Sequence, residues 1–504
     1  MFRSFWMFAL AALALSAPCL ANDPVATGAV PALSGVVLTA DAPAPVATPA
    51  PAPAKNPINK GDTAWLLVSS ALVLLMTPGL AFFYGGLVRR KNILSVLMQC
   101  FMCMAIITVL WVMVGFSMAF GSDVAGGIIG DPFQYFMLKD VAFDSGWEAV
   151  AATTDPDGTK HAGLKLEIPG MLFMVFQCMF AVITPGLIIG AFAERMKFLA
   201  FTAFSAAWLL LVYCPVCHWV WYGPTGFFGL GVFHADNGTS VGALDFAGGT
   251  VVHINAGIAA LVCILVMGKR QGYPSKISPP HNLPFAVLGA GLLWFGWFGF
   301  NGGSALGSTG QAVQAFVTTH VAAAAAGLVW AIIEWVRNGH PTVLGMITGA
   351  VAGLVGITPA AGFVDVGAAL AIGAGATVIS YIFVAVLKEK FGYDDSLDVF
   401  GVHGISGIWG AIATGIFAMT GFGVGAAPNA EGVMEGGGGL LAGNAAQVGA
   451  QVKAVLYTVV WSGVISFILL KVINVVIGLR PSDHDERVGL DLTDHAETAY
   501  TIVE

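Results

Sequence analysis

Charged side chains are scarce in this chain of 504 residues. Lys and Arg number 21 and Asp and Glu 29, together 10% of the sequence, whereas a soluble domain has about 25%. Hydrophobic residues reach 57%, which is more apolar surface than a soluble fold could bury. The composition therefore predicts a polytopic membrane protein. The net charge of −8 leaves no basic patch and argues against a nucleic-acid partner.

Motifs for metal ligation and hydrolysis are also missing. No H-E-x-x-H or other close ligand spacing occurs, and no Ser–His or Cys–His pairing suggests a membrane hydrolase. The sequence thus predicts neither an enzyme nor a metal or cofactor site. One pattern stands against this, because CPVCH at 214–218 matches the C-x-x-C-H signature of covalent haem attachment. It continues an apolar run at the end of a candidate membrane helix, so a coincidence is favoured over a haem redox protein.

The first 60 residues have two distinct compositions. Residues 1–21 indicate a secretory signal peptide: Arg3 supplies a positive start, a short apolar run follows, and small residues near Ala21 form a cleavage site. Residues 22–60 are rich in Ala, Pro and Val, a composition that favours extended, solvated chain. They are predicted to form a disordered periplasmic arm.

About eleven apolar runs are long enough to cross a bilayer, which takes about 20 residues. They lie near 63–87, 97–120, 168–192, 199–222, 247–268, 283–303, 313–336, 342–361, 366–387, 399–421 and 452–478. Lys and Arg cluster after the odd-numbered runs, as at Arg89, Arg90 and Lys91, and are sparse after the even-numbered runs. Because positive charge marks the cytoplasmic side, the N-terminus is expected outside and the C-terminus inside.

A short internal repeat divides these runs into two units. HINAGI at 253–258 is echoed by HGISGI at 403–408, on the fifth and the tenth run. Five spans per unit is an odd number, so the second unit must be inverted relative to the first. The predicted fold is an all-α polytopic membrane protein with two inverted five-helix repeats and one extra C-terminal helix. In transporters of this plan the functional site lies where the halves meet.

His253 and His403 are therefore candidate pore residues. An ionisable side chain in a membrane helix is costly and by default marks a functional pathway; the plainer alternative is a hydrogen bond across a helix interface. Asp245 precedes the fifth run and Asp398 the tenth. Each is expected to cap the following helix by accepting hydrogen bonds from free backbone N–H groups, with an electrostatic effect on any cation nearby.

Longer motifs resemble the ammonium transporter (Amt/Mep/Rh) family, in its bacterial Amt branch. They are DFAGGTVVHINAG at 245–257, GWFGFNGGSA at 296–305, DVFGVHGISG at 398–407, FQCMFAVITPGLIIGAFAER at 176–195 and PHNLP at 280–284. The resemblance covers most of the chain after Lys60. It implies a transporter or channel for ammonium or ammonia in the inner membrane of a bacterium.

The same resemblance implies roles for individual residues. By motif position, Phe180, Trp221 and Ser304 would bind ammonium at the outer side. Phe180 and Phe300 would close the pore as two stacked rings, and the two histidines would line the lumen through which NH3 passes after ammonium has lost a proton. Taken singly, each aromatic residue would be interpreted as a packing residue, and only its place in a motif suggests more.

The family resemblance also implies an assembly and a partner. The family usually forms homotrimers in which each protomer has its own pore. Residues 61–478 would be the transmembrane domain and residues 479–504 a cytoplasmic regulatory tail, a possible site for PII-type signalling proteins. The rival interpretation is an ammonium sensor of the same fold that signals with little flux.

Overall fold

The computed structural model describes residues 56–222, 242–275, 279–421 and 437–500, with short gaps at 151–152, 155–159 and 162–163, and also residues 427–428 and 434–435. The predicted signal peptide and residues 22–55 of the predicted arm lie outside the described residues. The last residues of that arm belong to the folded unit. Asn59 caps the first helix, because its side-chain oxygen accepts hydrogen bonds from Gly61 N and Asp62 N.

Eleven apolar helices make up most of the described chain. Ten are long and apolar enough to cross a membrane, and α8 is apolar but has 15 residues. They are α1 Lys60–Leu87, α2 Arg90–Phe120, α3 Gly170–Phe192, α4 Phe198–Trp221, α5 Gly249–Met267, α6 Leu283–Gly303, α7 Gly310–Asn338, α8 Val343–Ile357, α9 Val366–Phe391, α10 Phe400–Phe417 and α11 Ala445–Val476. Each predicted run coincides with one helix. The all-α polytopic membrane fold is confirmed, whereas the number of spans and their orientation stay predictions.

Helix α8 ends four residues earlier than its predicted run. Its 15 residues rise by about 22 Å, less than the roughly 30 Å of a bilayer core. Pro359 follows closely; it has no backbone N–H to donate to Val355 O, and its ring would collide with that carbonyl, so the helix does not continue. The chain continues in tight turns, in which Ala360 N donates to Ile357 O and Phe363 N to Ala360 O. These turns bring Phe363 back into the bundle.

Among the described residues, four small antiparallel strand pairs lie between the helices, and the apolar runs predicted none of them. The pairs are β1 Asp123–Val124 with β2 Ile129–Gly130, β3 Gly146–Val150 with β6 Leu164–Pro169, β4 Thr153–Thr154 with β5 Lys160–His161, and β7 Ala427–Pro428 with β8 Met434–Glu435. β6 runs directly into α3 and contacts the start of α1, where Asn59 N donates to Glu167 O at 2.7 Å. The hairpin thereby lies beside the ends of two membrane helices.

Helices α1 and α6, and likewise α5 and α10, approach so closely that only glycine fits between them. A Cβ added at Gly289 of α6 would overlap the backbone of Phe83 in α1, and a Cβ at Gly257 of α5 would overlap the backbone of Gly404 in α10. Small residues of this kind let membrane helices pack backbone to backbone. The members of each pair are five helices apart in sequence. This is the relation expected when the first five and the second five helices form equivalent halves.

After α11, the C-terminal tail folds back onto the rest of the chain. It contains α12 Asp483–Val488 and α13 Leu490–His495. Ser95 N donates to the Asp491 carboxylate at 2.8 Å, and Leu490 N donates to the Asn92 side chain at 2.8 Å. The tail is therefore docked on the end of the bundle where α1 finishes and α2 begins.

Candidate functional site

The two predicted histidines meet at the centre of the bundle. The Nδ1 atoms of His253 and His403 are 3.3 Å apart, and the rings are inclined by 18° with their centroids 5.4 Å apart. Both side chains are buried. In a hydrogen bond between two Nδ1 atoms one ring donates and the other accepts. The pair therefore holds one proton on its shared edge, and the tautomers of the two rings are linked.

Both imidazoles project from the same kind of backbone turn. π-helical turns run over Gly249–Ile254 and Phe400–Ile405, and each contains one of the histidines. A π turn inserts one extra residue into the helix and is found mostly at functional sites. The sequence repeat is thus matched by a repeat of backbone conformation.

The glycine of each H-x-x-x-G motif explains how the rings come together. Gly257 and Gly407 each lie four residues after a histidine and therefore on the same helix face. Gly257 contacts the backbone of Gly404, and a Cβ added at Gly407 would lie 3.2 Å from the Cβ of His253. Without side chains at these positions, the two helices cross near enough for His253 and His403 to touch.

Asp245 holds the start of the π turn that carries His253, Gly249–Ile254. Its two carboxylate oxygens accept hydrogen bonds from four consecutive backbone N–H groups, Gly248 to Val251, at 2.5 to 3.1 Å. These are the N–H groups that a helix leaves free at its beginning. Since all four bonds converge on a buried carboxylate, Asp245 fixes the backbone that carries His253.

The prediction that Asp398 caps the following helix, α10, is wrong. Asp398 has a left-handed backbone (φ 61°), and its carboxylate forms an ion pair with Lys388 at 2.5 Å. The capping role belongs to Asp395, whose oxygens accept from Val399 N at 3.1 Å and Phe400 N at 2.8 Å. The cap of the second half therefore comes from a different position in the loop.

A narrow lumen surrounds the histidine pair. Its free volume is about 10 Å³, which is room for about one water-sized molecule. Apart from the two imidazoles its wall is apolar and aromatic, with contributions from Met76, Leu80, Phe83, Ile183, Leu187, Leu293, Trp297, Phe300 and Val351. The Nε2 atom of His253 is buried and has no hydrogen-bond partner. The lumen thus offers a small molecule one open polar position on His253.

Two phenyl rings separate the lumen from the next cavity. The rings of Phe180 and Phe300 have centroids 4.3 Å apart and planes inclined by 38°, and both side chains are 1% exposed. Phe300 lines the lumen, whereas Phe180 lines the cavity beyond it. The structure brings together the two rings that the motifs single out, in a tilted rather than parallel stack.

The cavity beyond this pair, here called the aromatic vestibule, has a volume of about 270 Å³. It lies at the end of the bundle where α1 begins. Its wall contains Phe120, Leu166, Phe173, Gln177, Phe180, Trp221, Asp245, Phe246, Ser304, Ala305, Leu306, Gln311 and Phe363. The three residues predicted to bind ammonium, Phe180, Trp221 and Ser304, therefore line one cavity.

Hydrogen bonds fix the polar groups of this wall. The Trp221 indole N–H donates to Asp245 O at 2.9 Å, and its ring stands at 90° to that of Phe180 with centroids 5.6 Å apart. The Ser304 hydroxyl donates to Phe300 O at 2.8 Å. Because its only proton is used in that bond, the Ser304 oxygen can act only as an acceptor toward a ligand.

Gln177, a polar residue of the aromatic vestibule, escaped the sequence analysis. Gln177 is 8% exposed, and its Oε1 atom is buried without a hydrogen-bond partner. A buried carbonyl oxygen of this kind is costly unless something binds it. The signal was available in the sequence, because Gln177 is the one strongly polar residue in the apolar run of α3.

A third cavity, here called the charged vestibule, lies at the opposite end of the bundle. Its volume is about 160 Å³, and its wall includes Lys388, Asp398 and Arg270 as well as His403. His403 thus lines both this vestibule and the lumen. Arg270 binds the Asp394 carboxylate at 2.8 Å. Burial alone would raise the pKa of Asp394. The hydrogen bonds and the positive charge of Arg270 outweigh this effect and hold that pKa below its ordinary value.

The CPVCH segment packs as ordinary helix. The thiols of Cys214 and Cys217 are buried and free. The His218 ring engages Ala119 O through Nδ1 at 3.0 Å and the Asp123 carboxylate through Nε2 at 2.8 Å. With both nitrogens taken, His218 has none left to ligate a haem iron, and the arrangement does not fit a haem site. Across the described ranges, no group of three His, Cys, Asp or Glu residues is arranged to hold a metal ion.

Comparison with known sequences gives long matches. A family model described as the Ammonium Transporter Family matches residues 64–500. The chain is 48% identical over 449 residues to an "Ammonium transporter" of Mycobacterium tuberculosis, covering 87% of this chain and 90% of that protein. It is 46% identical over 442 residues to an "Ammonium transporter" of Bacillus subtilis, covering 87% and 98%.

Solved structures share the fold over a similar length. Mep2 of Saccharomyces cerevisiae superposes with a TM-score of 0.72 at 33% identity, over 85% of this chain and 89% of that chain. A protein described as "Sensor Amt Protein" gives a TM-score of 0.72 at 26% identity, over 86% and 98%. The helices that form the lumen and both vestibules lie within the matched length of the family model.

Proposed function

The chain belongs to the ammonium transporter family, and from this membership we propose that it conducts ammonium nitrogen across the inner membrane of a bacterium. The proposal depends above all on one observation. His253 and His403 touch in an apolar lumen that has room for about one small molecule and a vestibule at each end. Such a path suits a small, neutral, hydrogen-bonding molecule.

Recruitment of the cation takes place in the aromatic vestibule. The rings of Phe180 and Trp221 each attract a compact cation by about 0.5–2 kcal/mol, and the Ser304 oxygen accepts a hydrogen bond from it. Gln177 Oε1, which is buried and unpartnered, is a further acceptor. Asp245 adds negative charge behind this wall, while its own oxygens are occupied by backbone N–H groups.

The energies favour passage as NH3 rather than as the intact ion. A bare cation in a medium of low dielectric constant costs tens of kcal/mol by Born estimates. Deprotonating an amine of pKa about 10 at pH 7 costs only about 4 kcal/mol. The cheaper route is therefore to release the proton to water in the aromatic vestibule, before the nitrogen passes the Phe180–Phe300 pair. A K⁺ ion has no proton to give up and would have to pay the full desolvation cost.

The two imidazoles serve the neutral molecule along the lumen. NH3 has both N–H donors and a lone pair, and a neutral imidazole has one donor and one acceptor nitrogen. The open Nε2 of His253 supplies the first such contact. The shared Nδ1–Nδ1 bond keeps the two tautomers in step, so the pair can also relay a proton.

We further propose that the aromatic vestibule faces the periplasm and the charged vestibule the cytoplasm. Lys and Arg follow the odd-numbered helices, at the end that carries the charged vestibule, and positive charge marks the cytoplasmic side. The docked tail lies at that same end. It therefore presents α12 and α13 to cytoplasmic partners, among which a PII-type signalling protein is the candidate that the family suggests.

A homotrimer is the proposed assembly. His320 is exposed in the middle of α7, and Val313, Phe316, Val317 and Leu328 expose apolar side chains on the same helix. A histidine in contact with lipid at that depth is unfavourable. Packing of this face of α7 against another protomer would remove the contact.

The sensor alternative has one specific observation in its favour, the likeness to the protein described as "Sensor Amt Protein". The tail docked on the loops next to the charged vestibule would be its signalling element. The two functions differ in flux, because a sensor transduces a signal with little transport. Flux therefore decides between them.

The test is uptake of labelled methylammonium by bacteria that lack their own ammonium transporters. The wild-type chain should give saturable uptake, and His253→Ala should abolish most of it at an equal amount of protein in the membrane. No uptake above the empty-vector level, with ammonium-dependent regulation intact, would reject the transporter and favour the sensor. Current recorded together with flux in proteoliposomes would then show whether the proton travels as well.

A further inference from the structure

The first turn of α1 fastens one wall of the aromatic vestibule. That wall is the Ser304 loop, defined here as residues 304–309, which connects α6 to α7. Ser304 and Leu306 of this loop line the vestibule. The first turn of α1 contributes no residue to that lining, so any influence it has on ammonium must pass through the loop.

Two contacts join α1 to this wall. The Asp62 carboxylate accepts a hydrogen bond from Ser308 N at 2.7 Å and a second, through the same oxygen, from the Ser308 hydroxyl at 2.9 Å. One helical turn further on, the Trp65 indole N–H donates to Gly302 O at 3.1 Å. These bonds hold the chain on both sides of Ser304.

The glycine at position 307 leaves room for the approach of Asp62. A Cβ added at Gly307 would lie 3.1 Å from the Asp62 oxygen that binds Ser308, closer than a side chain normally comes to a carboxylate. The loop sequence therefore fits this contact.

The backbone between the two anchors is strained. Leu306 has a left-handed conformation (φ 56°), which is unfavourable for a residue with a branched side chain. Strain of this kind persists only where the surroundings determine the conformation, and it gathers at functional sites. Leu306 N donates to Gly303 O at 2.8 Å, and the Asp62–Ser308 contact prevents the loop from relaxing on the other side.

We propose that Asp62 is a positioning residue for ammonium recruitment. By holding Ser308 it keeps Leu306 in its strained turn and the Ser304 oxygen at the wall of the aromatic vestibule. The inference rests on the proposed function of that vestibule. It differs from direct attraction of the cation by the Asp62 charge, which would need the carboxylate but not the bonds to Ser308.

The concentration dependence of methylammonium uptake separates these two roles. Asp62→Ala removes the acceptor and should raise the half-saturation concentration about fivefold, while the maximal rate per membrane-inserted protein stays within about twofold. Asp62→Asn removes the charge but keeps a side-chain oxygen that accepts both bonds, and it should behave like the wild type. Ser308→Ala keeps the backbone N–H bond and should give about a twofold rise.

Asp131→Ala is the matched control. It removes a carboxylate from an interhelical loop at the same end of the bundle, where Asp131 accepts a hydrogen bond from Phe133 N, and it touches neither α1 nor the Ser304 loop. Its uptake curve should match that of the wild type. Immunoblots of membranes correct every rate for the amount of protein, and Ser308→Ala carries the test if Asp62→Ala fails to insert.

The outcomes are distinct. Equal shifts in Asp62→Ala and Asp62→Asn would assign the effect to charge and overturn the positioning role. An unchanged half-saturation in both Asp62→Ala and Ser308→Ala, beside wild-type uptake, would also overturn it while leaving the proposed function intact. Absence of uptake by the wild type would instead reject the proposed function and this inference with it.

Discussion

The two vestibules are built from opposite chemistry. The aromatic vestibule presents ring faces and oxygen acceptors, and its one ionisable residue, Asp245, uses its carboxylate to bind backbone N–H groups. The charged vestibule presents Lys388 and Arg270 beside Asp398. The first surface can hold a cation in place of water, whereas at the second the Asp398 and Asp394 carboxylates are already occupied by Lys388 and Arg270.

In the proposed function, this difference separates recruitment from passage. The vestibules would set the affinity at each end, whereas the lumen between them is common to both directions and would set the barrier. His253 is enclosed in the lumen, while His403 reaches from the lumen into the charged vestibule. Changes in the lumen should therefore affect transport in both directions, and changes in a vestibule should affect one side.

Removal of either imidazole should have the largest effect. His253→Ala or His403→Ala should lower methylammonium uptake at least about tenfold or abolish discrimination against K⁺, equally from both sides, since the lumen loses its polar lining. Proteoliposomes loaded from either side measure this. His340→Ala is the control, because His340 is exposed in the α7–α8 loop. Wild-type rates in both lumen variants would refute the pore role of the pair.

Loss of the Asp245 carboxylate should mainly reduce stability. Asp245→Ala leaves the four N–H groups before His253 without an acceptor, and we expect a loss of about 2–4 kcal/mol. Asp245→Asn keeps one acceptor oxygen and should lose less. Thermal unfolding of the detergent-solubilised protein measures the difference. Identical midpoints for wild type and Asp245→Ala would contradict the capping geometry.

A change in the aromatic vestibule should alter affinity from that side alone. Trp221→Leu removes one ring face and should raise the half-saturation concentration about two- to thirtyfold, corresponding to about 0.5–2 kcal/mol. Phe101→Leu, at a 53% exposed position on α2, provides the control. A half-saturation unchanged in Trp221→Leu would argue against recruitment by its ring.

The smallest effect is expected at the charged vestibule. Lys388→Ala removes a positive charge and frees the Asp398 carboxylate, so cations should enter more readily from this side. We expect the half-saturation measured from this side to fall about two- to threefold, the scale of a partly exposed ion pair. Lys390→Ala, an exposed neighbour, is the comparison. A shift of the same size in the half-saturation measured from the aromatic vestibule would contradict the proposal that each vestibule acts on its own side.

The apolar helices and the His253–His403 pair could be predicted from the sequence, because both depend on regular patterns of residues. Apolar runs located the eleven apolar helices of the described chain, and the repeated H-x-x-x-G motif placed His253 and His403 on equivalent helices. The glycines of that motif also determine the crossing that joins the two rings. The residues that the family motifs single out line the lumen or the aromatic vestibule, namely Phe300 in the first and Phe180, Trp221 and Ser304 in the second, while their roles stay predictions.

Local loop geometry lay beyond these patterns. Asp398 stands at the position that the repeat suggests for a helix cap. Its backbone is left-handed and its carboxylate pairs with Lys388, so Asp395 caps the helix instead. The hairpins pair residues that no period reveals, and Pro359 shortens α8. Gln177 was visible in the sequence, but only the structure shows that its oxygen lacks a partner.

The most direct test of neutral passage is K⁺ flux through the wild-type protein in proteoliposomes, measured beside ammonium flux under the same gradient. K⁺ resembles ammonium in charge and size but cannot lose a proton. The account predicts rapid ammonium transport with no K⁺ flux above that of protein-free vesicles. K⁺ flux at a rate comparable to that of ammonium would contradict it, because an intact cation would then cross the lumen.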